Sequence, residues 1–193
     1  MCGRYYIYDE TMEEAERLFE DLTSGIPKAG AGDITPGMNA PAVLSRDGAL
    51  SGGLLKWGFK GFEPGKLIIN SRAESIKEKP LFRESMAERR CVLPAAGFYE
   101  WDRNRQKTVL AVPGTSIIFL AGIWTPETDG ARFSIVTREA NASMLPVHDR
   151  MPLILDGGTA ADWIKDPSAA DEILHMTLPE LLIKRDYEQL SLF

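Results

Sequence analysis

The sequence predicts an α+β domain built mainly of antiparallel sheet with helices at its periphery, and three observations carry that reading. Short runs rich in β-branched and aromatic residues recur along the chain, bounded by turn-forming residues. Helical spacing shows only in isolated segments, so strands and helices do not alternate as in a doubly wound fold. With 193 residues, 44% hydrophobic and 26% charged, the chain suits one domain, or two closely joined lobes, with a core of its own.

Residues 5–8 read as a first strand. A capping box at Thr11 and Glu14 opens a helix to about residue 22, with Ala15, Leu18, Phe19 and Leu22 at helical spacing. A Gly/Pro-rich loop follows and ends at Pro36-Gly37. Residues 42–44 and 50–55 form a hairpin about Arg46-Asp47-Gly48 and run into Lys56-Trp57-Gly58-Phe59. Residues 67–70 make a short buried strand that feeds a helix start at 71–74. Residues 80–88 make a second short helix, with Leu81, Phe82 and Met86 inward. Strands at 91–95 and 97–101, a polar turn at 103–107, and strands at 108–112, 116–124 and 132–137 come next. A connector at 141–145 leads to 147–152. Residues 158–164 and 169–176 look helical, and the pattern after Leu178 is mixed.

A net charge of −6 excludes a protein coated in basic residues. The distribution says more, because residues 56–107 carry twelve basic and seven acidic side chains in a chain that is acidic elsewhere. A local basic strip can hold a phosphate backbone, though a solvated face of mixed charge fits the same count. Cys2 and Cys91 make no disulfide framework and fit a reducing cytosol, with Cys91 reading as a small buried strand residue. Two histidines and no CxxC leave no ligand set for structural zinc, so no such site is expected. No apolar run approaches the roughly 20 residues that cross a bilayer. The opening MCGRYYIYDE lacks the charged and apolar regions of a secretory signal. A cytoplasmic monomer is the expectation.

Cys2 follows the initiator directly. Once Met1 is removed, one residue carries both a free α-amine and a thiol. The amine can form a Schiff base with an aldehyde, and the thiol can close that imine to a durable thiazolidine. The thiolate is the reactive form, and Arg4 stands two residues on as a cation that favours it. A small second residue is equally explained by efficient removal of methionine. Glu100 lies among Phe98, Tyr99 and Trp101, surroundings that suit a carboxyl group to proton transfer, although strand alternation can turn it to water. His148, before Asp149-Arg150, can give a proton to a sugar oxygen or an imine, or simply face solvent. Asn70 closes an apolar strand where its amide needs a partner, and could hold an amine or a substrate hydroxyl. Arg72 and Arg150 are candidate phosphate ligands. Trp57, Phe59 and Trp101 offer faces for base stacking, or belong to the core.

Met1-Cys2-Gly3-Arg4, Lys56-Trp57-Gly58-Phe59, Ile69-Asn70-Ser71-Arg72-Ala73-Glu74, Gly97-Phe98-Tyr99-Glu100-Trp101 and His148-Asp149-Arg150-Met151-Pro152 follow one another in an order that resembles the SRAP (SOS-response-associated peptidase-like) family. The resemblance runs from Cys2 to about Trp163. It implies a β-rich, barrel-like domain, here residues 1–188, with a positive cleft for single-stranded DNA that contains abasic sites. It implies a thiazolidine crosslink between the N-terminal cysteine and the ring-opened aldehyde, with lyase-like, peptidase and self-processing activities attached to the family, and no cofactor. By motif position, Cys2 is the nucleophile, Asn70 its positioner, Glu100 the acid/base and His148 a second proton donor. Arg4, Trp57, Arg72, Trp101, Thr137 and Arg150 fall where the family grips DNA.

Two departures stand out. Asp33 occupies a loop position where the family often has asparagine, in Asp33-Ile34-Thr35-Pro36-Gly37, and the usual terminal segment is missing. An N-terminal-nucleophile hydrolase or a thiol peptidase using Cys2 is the alternative, and a non-enzymatic single-strand-binding module is a third reading. Finally, Gln189-Leu190-Ser191-Leu192-Phe193 resembles the pentapeptide that docks on the bacterial β sliding clamp. There the glutamine hydrogen-bonds at one subsite and the apolar side chains fill a pocket.

Overall fold

The fold is taken from a computed structural model that describes residues 2–28 and 30–185, for Arg185 the backbone alone. Five strands form the smaller sheet in the order β15 (Leu182–Arg185), β10 (Lys107–Ala111), β9 (Gly97–Trp101), β1 (Arg4–Ile7) and β2 (Gly32–Ile34), antiparallel throughout. The larger sheet runs β13 (Arg150–Pro152), β12 (Arg132–Glu139), β4 (Ala49–Trp57), β3 (Asn39–Arg46), β8 (Arg90–Ala95), β11 (Ile118–Thr125) and β14 (Ile154–Leu155). Strand β12 also pairs with β11, so β12, β4, β3, β8 and β11 close on themselves. The α+β class and its barrel-like character are therefore as expected. Closure matters because paired edges leave no backbone row exposed.

Strand β7 (Asn70–Arg72) adds to β12 in parallel, whereas β5 (Phe59–Lys60) and β6 (Leu67–Ile68) pair only with each other. Among the described residues, four α-helices lie around the sheets: α1 (Asp9–Leu18), α2 (Pro80–Glu88), α3 (Gly157–Lys165) and α4 (Pro167–Ile173). Pro80 at the start of α2 has the fixed φ a first turn wants, and the helix buries Phe82, Ser85 and Met86 while Leu81 stays half-buried. Asp156 caps α3 by accepting from the Thr159 amide at 2.8 Å.

Local chemistry accounts for the turns. Asp47 and Gly48 both take positive φ (50° and 81°), as a two-residue hairpin between right-twisted strands requires. Gly58, at φ 107°, carries the chain from β4 into β5. A Cβ there would sit 2.9 Å from the Leu67 Cβ, and its amide donates to the Phe133 carbonyl at 2.8 Å.

Helix α1 and residues 67–72 differ from the sequence reading. Helix α1 begins at Asp9, because the Thr11 hydroxyl accepts from the Tyr8 amide at 3.2 Å and so lies inside the first turn. The helix stops at Leu18 because the following residues are drawn onto the sheet, where the Thr23 amide donates to the Leu50 carbonyl at 2.8 Å. Residues 67–72 are two strands rather than one, and residues 71–72 are extended because β12 offers them a ladder, leaving a single 3₁₀ turn at Ala73–Ser75.

Candidate functional site

Register on the smaller sheet settles which way Glu100 points. Tyr5 is paired with Phe98 and Glu100 with Thr108, and these four share the inner face. Glu100 is 4% exposed, so the carboxylate faces inward rather than to water. Pairing of Arg4 with Tyr99 places Glu100 beside the residues that precede β1. Cys2 is fully buried there, and its thiol approaches the Arg4 carbonyl at 3.9 Å. Burial, and after it the Glu100 charge, hold that thiol well above the usual cysteine range. The expectation that Arg4 favours a thiolate is not met, because its guanidinium points elsewhere.

Asn70 reaches the same point from the other sheet. Pairing of β7 with β12 sets Asn70 against Ile135, and its side-chain amide donates to the Cys2 carbonyl at 3.0 Å. The carbonyl oxygen of that amide is buried and has no hydrogen-bond partner among the described residues. An orphaned acceptor costs about 1–3 kcal/mol, and it belongs to the same amide that holds the Cys2 carbonyl. Cys2, Asn70 and Glu100 thus converge although they are far apart in sequence.

Arg4, Tyr99, Trp101, Asp33 and Lys107 occupy the outer face of the smaller sheet. The Arg4 guanidinium lies 3.3 Å from an Asp33 carboxylate oxygen and 5.5 Å from the Trp101 ring centroid. The Tyr99 hydroxyl lies beside Asp33, and burial together with that carboxylate pushes its pKa up to about 12. The Lys107 ammonium stands 4.0 Å above the Tyr99 ring.

Two clefts border the site. A polar one of about 400 Å³ is lined by Trp101, Arg103, Leu145, Val147, His148 and Asp149. In it, His148 Nδ1 accepts from the Arg150 amide at 2.9 Å, so a neutral imidazole carries its proton on Nε2. An Asp149 carboxylate oxygen also lies 2.8 Å from Nδ1, with its side chain 84% exposed, and that contact becomes an ion pair when the imidazole is protonated. The other cleft, about 570 Å³ and mainly apolar, is lined by Phe62, Ile68, Asn70, Arg72, Lys79 and Leu81. Phe62 is 93% exposed. Sequence reasoning missed it, and the available signal was an aromatic in the turn-rich stretch Gly61-Phe62-Glu63-Pro64-Gly65.

A family model described as SOS response associated peptidase (SRAP) matches residues 1–189. The chain belongs to the SRAP family. It is 29% identical to the abasic site processing protein YoaM of Bacillus subtilis, with 92% of this chain and 85% of that protein covered. It is 27% identical to the abasic site processing protein YedK of Escherichia coli, over 89% and 83% of the two chains. It is 29% identical to the abasic site processing protein HMCES of Xenopus tropicalis, over 67% of this chain and 52% of that one. Among solved structures, a phage-related protein of Bordetella bronchiseptica superposes with a TM-score of 0.79 at 25% identity, covering 97% and 95% of the chains. A Bacteroides thetaiotaomicron protein superposes at 0.78 and 21%, a likeness of fold.

Three residues that the SRAP motifs align with DNA lie inside the protein here. Trp57 is fully buried, donates its indole N–H to the Ile69 carbonyl at 3.0 Å and stacks on Phe133 at 5.8 Å. It offers no face to a base and instead braces the residue before Asn70; Phe59 is buried as well. Thr137 is fully buried, and its carbonyl accepts from Arg150 at 2.7 Å. Arg150 is 9% exposed and gripped by both oxygens of Glu74, at 2.7 and 2.9 Å, so its charge is spent inside the protein. The central basic stretch is similarly thinned. Lys60 pairs with Glu127 and Asp129, Lys77 with Asp171, Arg89 with Glu84, and Arg90 donates to backbone carbonyls. Arg72, Lys79 and Arg103 remain along the two clefts. No group of side chains able to hold a metal ion occurs among the described residues, and residues 189–193 lie outside them.

Proposed function

We propose that this SRAP protein captures abasic sites in single-stranded DNA as a thiazolidine on residue 2. The observation that carries the reading is the meeting of a buried carboxylate, an aminothiol residue and an amide with an unsatisfied acceptor at one point. The names of the SRAP relatives as abasic site processing proteins support the substrate class.

Met1 is removed in this reading, which frees the Cys2 amine. An abasic deoxyribose is mostly a closed hemiacetal. Glu100 takes the proton of the C1′ hydroxyl and returns it to the departing ring oxygen, which the Nε2–H of His148 steadies by a hydrogen bond, and the aldehyde forms. The Cys2 amine, held by Asn70, attacks C1′ and a water leaves, giving an imine. The thiol then adds across the C=N bond, sulfur to carbon and its proton to nitrogen. Since burial and Glu100 keep the thiol protonated, that proton has to be moved as the ring closes, and Glu100 is the nearby acceptor. The net change is loss of one water. Arg72, Lys79 and Arg103 hold the flanking phosphates, and Phe62 and Trp101 stack on bases. The terminal segment 189–193 serves as a tether to the sliding clamp, in a cytoplasmic protein that acts as a monomer.

The test is intact-mass analysis after mixing the protein with a single strand carrying one abasic site. The expected adduct has the mass of both partners less one water, and it forms only on chains that begin at Cys2. Equal crosslinking by a form retaining Met1 would sink the reading. A hydrolase using Cys2 predicts turnover of free glutamine or a peptide instead, and that assay separates the two.

A further inference from the structure

Asp33 sits on β2 opposite Tyr6, which directs its side chain to the outer face of the sheet, where Arg4 and Tyr99 also point. Three groups fix the geometry there. The Arg4 guanidinium meets Asp33 at 3.3 Å, Tyr99 stands beside Asp33, and Trp101 lies beneath Arg4 at 5.5 Å. Arg4 is about a third exposed and Asp33 slightly more, so the pair is open to solvent and to a ligand. An exposed ion pair of this kind is worth about 0–1 kcal/mol and exchanges partners readily. A carboxylate and a phosphate oxygen also make the same kind of charge-assisted bond to a guanidinium.

We propose that Asp33 is an internal stand-in for a DNA phosphate, holding Arg4 in place over Trp101 and giving it up when a strand enters. The proposal rests on the reading of the cleft as a single-strand site and adds a residue that tunes affinity there. In this arrangement the charge of Arg4 is already neutralised before DNA arrives. A phosphate that takes over Arg4 releases a carboxylate into its own neighbourhood, so the contact adds little net binding and little salt dependence. Arg4 then acts as a positioner of the first strand, and Asp33 keeps the protein from holding undamaged DNA tightly. A change to asparagine keeps the size and an oxygen that can accept from Arg4 while removing the opposing charge.

The experiment measures binding of a labelled, undamaged oligothymidylate across a range of salt concentrations. The proteins are the wild type, Asp33→Asn, Arg4→Ala and the double variant, with thermal melts to show that each is folded. Asp33→Asn is expected to bind about three- to tenfold more tightly at low salt. Its slope of log K against log salt should steepen by about 0.7, one added phosphate contact on a single strand. In the Arg4→Ala background the same change should give no gain in slope, since the charge it would free is gone. Unchanged or weaker binding by Asp33→Asn, or a steepened slope that persists without Arg4, overturns the proposal while leaving the DNA reading intact. If the wild type and every variant fail to bind a single strand, the DNA reading itself is refuted and this inference with it.

Discussion

Replacing Glu74 tests whether the Arg150 strand is held by an ion pair that the protein keeps for itself. Arg150 is 9% exposed, and Glu74 accepts from it at 2.7 and 2.9 Å while keeping 47% of its own side chain in solvent. Removing one partner of a fully buried pair costs about 3–5 kcal/mol because a charge is left desolvated. Glu74 is only half withdrawn from water and Arg150 retains the Thr137 carbonyl, so about 1–3 kcal/mol is the expected loss for Glu74→Gln. For a chain of this size each kcal/mol lowers the melting temperature by about 2–4 °C. The pH dependence supplies a second handle. The bond from Arg150 holds the Glu74 carboxyl below its ordinary value of 4.5, so its stabilisation is complete above that value and is lost as pH falls through the lower, folded one. Thermal melts of the two proteins should therefore differ by several degrees at pH 7, and the gap should narrow under acid. Equal melting at pH 7, or a gap that widens under acid, would falsify the assignment.

Glu100→Gln should slow both formation and reversal of the crosslink to abasic DNA, because ring opening and ring closing share one proton path; an unaltered rate in a quenched time course makes Glu100 structural. Arg72→Ala should flatten the salt dependence of single-strand binding by about 0.7 in slope. Phe62→Ala should weaken that binding by about 1–3 kcal/mol if a base stacks on the exposed ring, and fluorescence anisotropy reads both. A chain ending at Glu188 should lose binding to the sliding clamp while crosslinking as before, and equal clamp binding by the two forms rejects the tether.

The elements legible from sequence were those whose signals are local. Asp47-Gly48 announced its hairpin, Pro80 its helix, and the β-branched runs of β11 and β12 their strands. Strands β2, β13, β14 and β15 were not legible, since two to four residues are too few to show a period and exist only because a neighbour pairs with them. At the site, Cys2, Asn70, Glu100 and His148 were nameable because each is a reactive or polar group in an unusual setting. Their supports were not. Glu74 grips Arg150 across 76 residues of sequence, a pairing no local pattern encodes. Trp57 illustrates the opposite failure, in which an aromatic suited to stacking on a base turns out to stack on Phe133.

Strand β12 has a consequence for how the cleft can respond to its ligand. It carries Asn70 through β7 on one side and Arg150 through β13 on the other, and the same strand closes the barrel. Moving those two walls relative to each other would break barrel ladders, so the chemical centre and the barrel belong to one cooperative unit and open together or not at all. Adaptation to different flanking sequences falls instead to the segments that β12 does not anchor, residues 61–66 with Phe62 and residues 102–106 beside Trp101. Those loops can change in length and composition without disturbing the aminothiol, its amide or its carboxylate, so under the proposed function related chains can diverge in the DNA they prefer while keeping one reaction.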